Sequence, residues 1–258
     1  MRFGPSTINY GQPVNRDAPL NRGLVGWWLN LPMTQGGGRL LDLCGKNHGV
    51  KTGSPTWSGL TPPGGLGGSV GLVPSAYYLT PSLSSLISES SFTFAVSIWP
   101  TASTYTRIAT FGPEIGWSTG GNIWVVHIST ADFTASGTVT LNAWNRIVLT
   151  RNGTTVEFFK NGVSIGSGTV AFTYTIGTLS IGQGTNDPYT GNLDNVVMWD
   201  RPLSASEIKA DYNASRTGYQ LELNRVSTLK RFPPMGPEAA VIVSGNRRRR
   251  VLICSGGR

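Results

Sequence analysis

Residues 144–163, WNRIVLTRNGTTVEFFKNGV, contain two tight-turn signals between short apolar stretches. Asn152-Gly153 and Asn161-Gly162 each separate segments that are rich in β-branched and aromatic residues. Asn-Gly between such segments is the strongest short-range signal for a β-hairpin, because both central residues of the favoured turn need a positive φ. The stretch therefore predicts three consecutive antiparallel strands, over residues 144–150, 155–159 and 163–167.

Further short strands are expected on both sides of this segment. From Phe92 to Trp99 the residues alternate, which places the large aliphatic and aromatic side chains on one face and the small residues with Trp99 on the other. Residues 53–71 are rich in Gly and Pro and predict a connecting loop. The other predicted strands cover residues 23–29, 107–111, 122–128, 178–183 and 191–200. Many short strands at this spacing are typical of an antiparallel sandwich.

One short helix is predicted after the last strand. Ser204 followed by Glu207 has the spacing of a capping box, and Ile208 and Tyr212 are four residues apart on one helical face. The chain is therefore expected to be all-β, with one short C-terminal helix.

Charge is unevenly distributed along the 258 residues, of which 13% are charged. Residues 24–215 contain nine basic and ten acidic residues, whereas residues 216–258 contain nine basic residues and two acidic ones. Neither a signal peptide nor an apolar stretch of about 18 residues is evident, so no membrane association is expected. We expect an extended N-terminal arm over residues 1–22 and a basic C-terminal arm with a β-hairpin over residues 219–258.

Six segments in this order resemble the laminin-G-like jelly-roll domains of the concanavalin A-like lectin/glucanase superfamily. They are GLVGWWL at 23–29, DLCGKNHG at 42–49, SFTFAVSIWP at 91–100, WNRIVLT at 144–150, FKNGV at 159–163 and YTGNLDNVVMWDRPLSASEI at 189–208. The resemblance implies a two-sheet antiparallel jelly-roll sandwich over residues 23–218, one face of which often binds sugar in the family. The acidic stretch that family members often carry before the strand at Leu72–Leu79 is missing here.

Glycan hydrolysis is not expected. Glycanases of this superfamily share a Glu-x-Asp-x-x-Glu strand, and a retaining mechanism needs two carboxylates about 5 Å apart. None of the six Glu residues of this chain is followed by an Asp two residues later. His48 and His127 lack an accompanying nucleophile motif. We therefore predict that the protein is not an enzyme.

Calcium is the one cofactor that the resemblance suggests. Asp42 and Asp194 occupy positions near which relatives often hold Ca²⁺, and Asn47 could add an amide oxygen. The alternative is that both carboxylates accept hydrogen bonds from loop amides, as in Asx-turns.

Sugar binding needs exposed aromatic rings together with amide or carboxylate groups. The candidate stacking residues are Trp57, Tyr77, Tyr78, Trp117 and Tyr189. The alternative for each of them is packing against the sandwich. Trp99, Trp144 and Trp199, with either Trp27 or Trp28, are predicted to lie in the core.

A run of four arginines, Arg247, Arg248, Arg249 and Arg250, lies between the apolar segments 239–243 and 251–254. The favoured interpretation is an assembly patch that meets an acidic partner. The alternatives are a charged edge strand that is protected from aggregation, and nucleic-acid binding, for which the sequence has no dedicated motif.

These features together resemble outer virion proteins of tailed phages, in which laminin-G-like domains recur. The sequence thus predicts a non-enzymatic structural subunit of a virus particle, such as a capsid decoration protein, assembled in the host cytoplasm. Its predicted partners are other virion subunits, meaning copies of itself and a capsid or tail protein, and surface glycans. The alternative is a calcium-assisted carbohydrate-binding protein outside any virus, and a divergent glycan hydrolase is a third possibility.

Overall fold

The computed structural model describes residues 17–29, 39–45, 47–64, 68–102, 104–117, 123–128, 131–170, 175–182 and 188–217. Within these ranges the chain forms two antiparallel sheets and one helix, which confirms the predicted all-β jelly-roll sandwich. No helix of the described part is long and apolar enough to cross a membrane.

The first sheet has eight strands with β7 and β16 at its centre. Its order is β14 (Val163–Thr169), β13 (Thr155–Lys160), β12 (Asn145–Asn152), β7 (Ser91–Pro100), β16 (Gly191–Trp199), β5 (Ser69–Leu72) and β4 (Thr56–Ser58). The eighth strand, β1 (Leu24–Trp28), pairs with the second half of β16, whereas β5 pairs with the first half.

The second sheet also has eight strands. Its order is β11 (Ala131–Thr138), β10 (Ile123–Ile128), β9 (Glu114–Trp117), β8 (Thr106–Thr110), β15 (Thr178–Ile181), β6 (Tyr77–Ser82), β3 (Gly49–Thr52) and β2 (Arg39–Leu40).

The two predicted tight turns are both present, with one shift. Asn161 and Gly162 have φ of 53° and 75°, as a two-residue hairpin turn with both central residues left-handed requires. At the other turn Asn152 still pairs with Thr155, so the two-residue loop is Gly153–Thr154. The prediction was therefore wrong by one residue there, because the strand pairing extends one step further than the Asn-Gly signal indicated.

The segment predicted as a loop over residues 53–71 contains β4 and the beginning of β5, which corrects that prediction. Trp57 pairs with Val70 across these two strands. A three-residue edge strand is too short to show alternation, so its strand character depends on the neighbour with which it pairs.

Alternation along β7 places its side chains in two different layers. Phe92, Phe94, Val96 and Ile98 are at most 1% exposed and belong to the core between the sheets. The intervening residues face outward, and Ala95 belongs to a second apolar layer on the outer face of the first sheet.

This second layer is covered by α1 (Ala205–Thr217), and β1, the neighbour of β16 in the same sheet, contributes residues to it. Trp28 lies in the core between the sheets, while the adjacent Trp27 lies in the outer layer. The Trp27 indole N–H donates to Asn195 Oδ1 at 2.8 Å, and the Trp28 indole N–H donates to Asn47 O at 2.6 Å. Both tryptophans are therefore buried, in different layers.

The predicted capping box begins α1. Ser204 Oγ accepts from the Glu207 amide at 3.3 Å, and Glu207 Oε2 accepts from the Ser204 amide at 2.9 Å. Arg201 forms an ion pair with Glu207 at 2.6 Å and, with help from Ser204, lowers the pKa of Glu207 to about 2. Because this pKa is depressed, the stabilisation is present above the ordinary Glu pKa and is lost as the pH falls toward 2.

Residues 17–22, predicted as part of an extended arm, are attached to the sandwich. They include a short 3₁₀ turn, Pro19–Asn21. The Trp199 indole N–H donates to Leu20 O at 2.6 Å, and the Arg201 guanidinium donates to Arg22 O at 2.9 Å. Residues 1–16 and 218–258, which contain the rest of both predicted arms, lie outside the described residues.

A buried ion pair fastens α1 to the outer face of the first sheet. Arg146 of β12 donates to both carboxylate oxygens of Asp211, at 2.9 and 3.1 Å, and both side chains are at most 3% exposed. The same guanidinium donates to Asn195 O at 2.5 Å. The charge of each partner is thus neutralised within the layer that α1 covers.

We expect Asp211→Ala to lower the free energy of unfolding by about 3–5 kcal/mol, because it leaves the Arg146 charge buried and unpaired. Urea denaturation measures the change. The double variant Arg146→Met/Asp211→Leu should recover most of the loss. As a control, Glu114→Ala at the partly exposed Arg107 pair should cost at most about 1 kcal/mol. Equal losses of unfolding free energy in Asp211→Ala and Glu114→Ala would contradict the conclusion that the buried pair fastens α1 to the sheet.

Candidate functional site

Three of the five aromatic residues predicted to stack on sugar lie in the core. Tyr78 is 8% exposed, Trp117 is 1% exposed and Tyr189 is fully buried. The rings of Trp117 and Tyr189 pack edge to face, with centroids 5.9 Å apart. A ring without an exposed face cannot stack on a ligand, so the structure corrects the prediction for these three residues.

The other two predicted residues, Trp57 and Tyr77, are half-buried and lie on different sheets. Trp57 is directly opposite the core residue Val70, and its ring packs against Gly68 at the edge of the first sheet. Tyr77 is opposite Thr52 on the second sheet. The structure therefore does not combine the five predicted residues into one surface.

A different aromatic surface lies on the outer face of the first sheet, beyond the apolar layer that α1 covers. Asn192 of β16 is directly opposite Trp99 of β7 on one side and Gly71 of β5 on the other. Thr56 of β4 is opposite Gly71. Residues directly opposite in antiparallel strands project from the same face, so these four form one row across the sheet.

Trp144, which immediately precedes β12, extends this row. Its ring packs against that of Trp99 with centroids 5.9 Å apart and an angle of 65° between the ring planes. Both rings are half-buried, which corrects the prediction that they lie in the core. We call the surface formed by Trp144, Trp99, Asn192, Gly71 and Thr56 the tryptophan groove.

The alternation of β7 contained the signal for Trp99. It placed this large aromatic residue with the small residues, on the face opposite the core. The indole N–H of Trp144 is turned away from solvent and finds no acceptor among the described residues.

Asn192 is held in place from below and from the side. The buried Tyr189 hydroxyl donates to Asn192 O at 2.7 Å, and burial holds the pKa of Tyr189 well above its ordinary value, so the hydroxyl stays protonated. The Asn192 amide group donates to Ser69 Oγ at 3.0 Å. Within the described part of the chain no donor reaches Asn192 Oδ1. That oxygen is therefore a free acceptor in the groove.

Gly71 places bare backbone between the amide and the hydroxyl of the row, and the Thr56 hydroxyl lies close over it, donating to Gly71 O at 3.3 Å. A methyl group at this position would lie 2.7 Å from Thr56 Oγ1 and 3.8 Å from Asn192 Nδ2. The floor of the groove is thus bare backbone between two polar side chains. Aromatic rings next to a few fixed polar groups are the usual composition of a small-molecule site.

Asp42 serves the local backbone in the described structure. Its Oδ1 accepts from the amides of Trp27 and Cys44 at 2.8 and 2.9 Å, and its Oδ2 accepts from the Asn47 amide at 3.0 Å. The carboxylate is 3% exposed. This is the alternative in which the carboxylate satisfies loop amides.

The described residues around Asp42 and Asp194 do not fit a calcium cage. Ca²⁺ takes six to eight oxygen ligands, whereas both acceptor positions of Asp42 Oδ1 are already used. Asp194 is fully buried on β16, opposite Ser97. No group of three or more His, Cys, Asp or Glu residues in the described ranges is arranged to hold a metal ion. Calcium binding at Asp42, Asn47 and Asp194 therefore stays a prediction.

Several other carboxylates are engaged in structural contacts. Glu114 forms an ion pair with Arg107 at 2.7 Å beside a small pocket of about 10 Å³, which is room for about one water molecule and far below the size of a ligand pocket. Glu157 accepts from Ser164 Oγ at 2.5 Å, and Asp211 is paired with Arg146. The assembly residues Arg247, Arg248, Arg249 and Arg250 lie outside the described residues.

Comparison with known families gives one match. A laminin-G family model, described as the concanavalin A-like lectin/glucanases superfamily, matches residues 74–209. No curated protein sequence matches the chain.

Similar solved structures include three proteins. A Trypanosoma rangeli sialidase in complex with sialic acid has 14% identity and a TM-score of 0.60, over 76% of this chain and 34% of its own. The binding domain of botulinum neurotoxin DC in complex with SialylT has 14% identity and a TM-score of 0.60, over 76% of this chain and 52% of its own.

The third is domain 4 of AbnA, an extracellular GH43 arabinanase from Geobacillus stearothermophilus, in complex with arabinotriose. It has 16% identity and a TM-score of 0.51, over 61% of this chain and 81% of its own. The chain thus spans about a third of the sialidase and about half of the neurotoxin domain. At these identities the likeness concerns the fold.

We expect Asp42→Ala to lower the free energy of unfolding by about 2–4 kcal/mol, because three backbone amides lose their acceptor. Thermal or urea unfolding in calcium and in EDTA should give the same loss. The exposed Asp200→Ala is the control and should change stability little. A calcium-dependent gain in wild-type stability that Asp42→Ala abolishes would instead support the calcium site.

Proposed function

Because the chain belongs to the concanavalin A-like lectin/glucanases superfamily, we propose that its sandwich is a non-catalytic glycan-binding domain. The observation that carries the proposal is the tryptophan groove. It combines two half-buried indole rings with a fixed amide and a hydroxyl at the uncovered end of a sheet.

The chemistry of the groove suits a sugar. One face of a pyranose ring carries mainly C–H groups, which pack on an aromatic ring, while its hydroxyls need hydrogen-bond partners. Trp99 and Trp144 provide the apolar contact. Asn192 Oδ1 and Thr56 Oγ1 provide acceptors at the other end of the row.

The similar solved structures support the same ligand class. Sialic acid is bound in the sialidase, SialylT in the neurotoxin binding domain and arabinotriose in the arabinanase domain. This support is an analogy of fold.

The absence of catalysis is part of the proposal. A retaining glycosidase needs two carboxylates about 5 Å apart, one as nucleophile and one as proton donor. Glu207 has its pKa lowered to about 2 and so cannot donate a proton near neutral pH. Asp42, Glu114 and Asp211 are held by amides or arginines. None of these groups lies in the tryptophan groove.

We further propose that the domain is a subunit of a virus particle, such as a capsid decoration protein. The support is the charge division: residues 24–215 are almost neutral, whereas residues 216–258 carry a net charge of +7. Such a basic segment suits an acidic partner subunit, while the sandwich remains free to bind glycans. The alternative is a carbohydrate-binding protein outside any virus.

We expect the full chain to bind members of a glycan array and to release no reducing sugar from them on prolonged incubation. Binding without turnover follows from the aromatic groove and from the engaged carboxylates. Turnover that disappears in Glu157→Gln or Asp194→Asn would refute the non-catalytic assignment. A chain that binds none of the glycans would refute the assignment to glycan binding.

We expect the protein to sediment with purified virus particles in a fixed copy number. Replacing Arg247, Arg248, Arg249 and Arg250 by Ser in the full chain should weaken this association and reduce its dependence on salt, since screened charge contacts are lost. Glycan binding by the same variant should be unchanged. Particles that lack the protein would favour the non-viral alternative. Particle association that is unchanged when the four arginines are replaced would instead indicate another docking surface.

A further inference from the structure

The five residues of the tryptophan groove are all uncharged. The apolar part consists of two indoles, and the polar part of one amide, one hydroxyl and the bare backbone at Gly71. Whatever the groove binds is therefore recognised by packing and by neutral hydrogen bonds.

The adjacent row of the sheet supplies no usable positive charge. It contains Arg146, Ser97 and Asp194, which are opposite one another on three neighbouring strands. Arg146 is buried and directs its donors to Asp211, Asn195 and Ser97. The other ionisable group of this row, Asp194, is an acid and is fully buried. Among the described residues, this row therefore offers a ligand in the groove no free cation.

An anionic sugar would be penalised in such a groove. A carboxylate or sulfate loses hydration when it enters a site, and it recovers this loss only through a positive partner or several strong donors. A neutral pyranose has no such charge to desolvate, because its hydroxyls need only neutral partners of the kind that Asn192 and Thr56 offer.

The geometry of the two rings also limits the number of sugar units. Coplanar rings spaced along a sheet would present a flat track for successive units of a chain. The rings of Trp99 and Trp144 instead meet at 65°, with centroids 5.9 Å apart. Two indole planes at this angle form a corner. One sugar ring fits there, with its face on one indole and its side against the edge of the second indole.

We infer that the tryptophan groove binds a single uncharged pyranose unit, with its C–H face on the Trp99–Trp144 corner and its hydroxyls toward Asn192 and Thr56. This inference rests on the proposed glycan-binding function. It adds to that function the number of sugar units and their charge.

The first measurement compares matched neutral and acidic ligands on the full-length protein. A glycan array with neutral glycans beside their sialylated and sulfated counterparts identifies the preferred ligand, and isothermal titration calorimetry then measures its affinity. We expect the neutral member of each bound pair to bind at least as tightly as the acidic one. We also expect a monosaccharide glycoside of the preferred terminal sugar to compete for binding.

The second measurement locates the site with variants of the groove. Trp99→Ala and Trp144→Ala remove the stacking corner, and each should weaken binding by at least about tenfold. Thr56→Val keeps both rings and removes the exposed hydroxyl at the far end of the row. It should weaken binding with little change in melting temperature, so the test does not depend on a variant that fails to fold. Tyr77→Ala, a half-buried aromatic on the other sheet, is the matched control and should bind as the wild type does.

Each outcome decides a different claim. Neutral binding that is lost in the three groove variants and kept in Tyr77→Ala would support the inference. Preference for the acidic glycans, or binding unchanged in all three groove variants, would overturn it while leaving the glycan-binding function intact. A wild-type protein that binds neither neutral nor acidic glycans would overturn both.

Discussion

The side-chain alternation of the two central strands, β7 and β16, is the constraint on which the rest of the structure depends. Phe94 and Ile98 enter the core between the sheets, whereas Ala95 and Trp99 project from the outer face. Because the period is two residues, a slip of one residue in either strand would exchange the two sets. The register between these strands thus decides at once which residues form the core and which are left for contact with a ligand.

The attachment of α1 divides the outer face of the first sheet into a part that the helix covers and a part that it does not cover. The Arg146–Asp211 pair and the apolar layer around Trp27 and Trp199 account for the covered end. Beyond the row that contains Arg146, the next row carries Trp99 and Asn192 and is not covered by α1. One residue pair therefore has two consequences: it holds the helix, and it removes the nearest guanidinium from the open end of the sheet. Stability of the covered end and neutrality of the groove have a common origin.

Positions that resemble a family's functional residues can take a structural role when their partners differ. Asp42 matches the family loop, yet in this chain its oxygens accept three backbone amides. Tyr189 was a candidate for sugar contact from its type and its place beside a strand, and it lies instead beneath the groove, where its hydroxyl fixes Asn192. In both cases the role of the residue depends on which neighbours the folded chain brings to it.

By itself the sequence determined the sandwich class, the hairpins around Asn161-Gly162 and the cap of α1 at Ser204, because these depend on neighbours within a few residues along the chain. The alternation along β7 also indicated that Trp99 lies on the face of the sheet opposite the core residues. The short strand β4, the buried state of Trp117 and the meeting of Thr56, Gly71, Asn192 and Trp99 were decided only by the tertiary structure. These features join residues from four strands that are far apart in sequence, and no local pattern records which strand lies beside which.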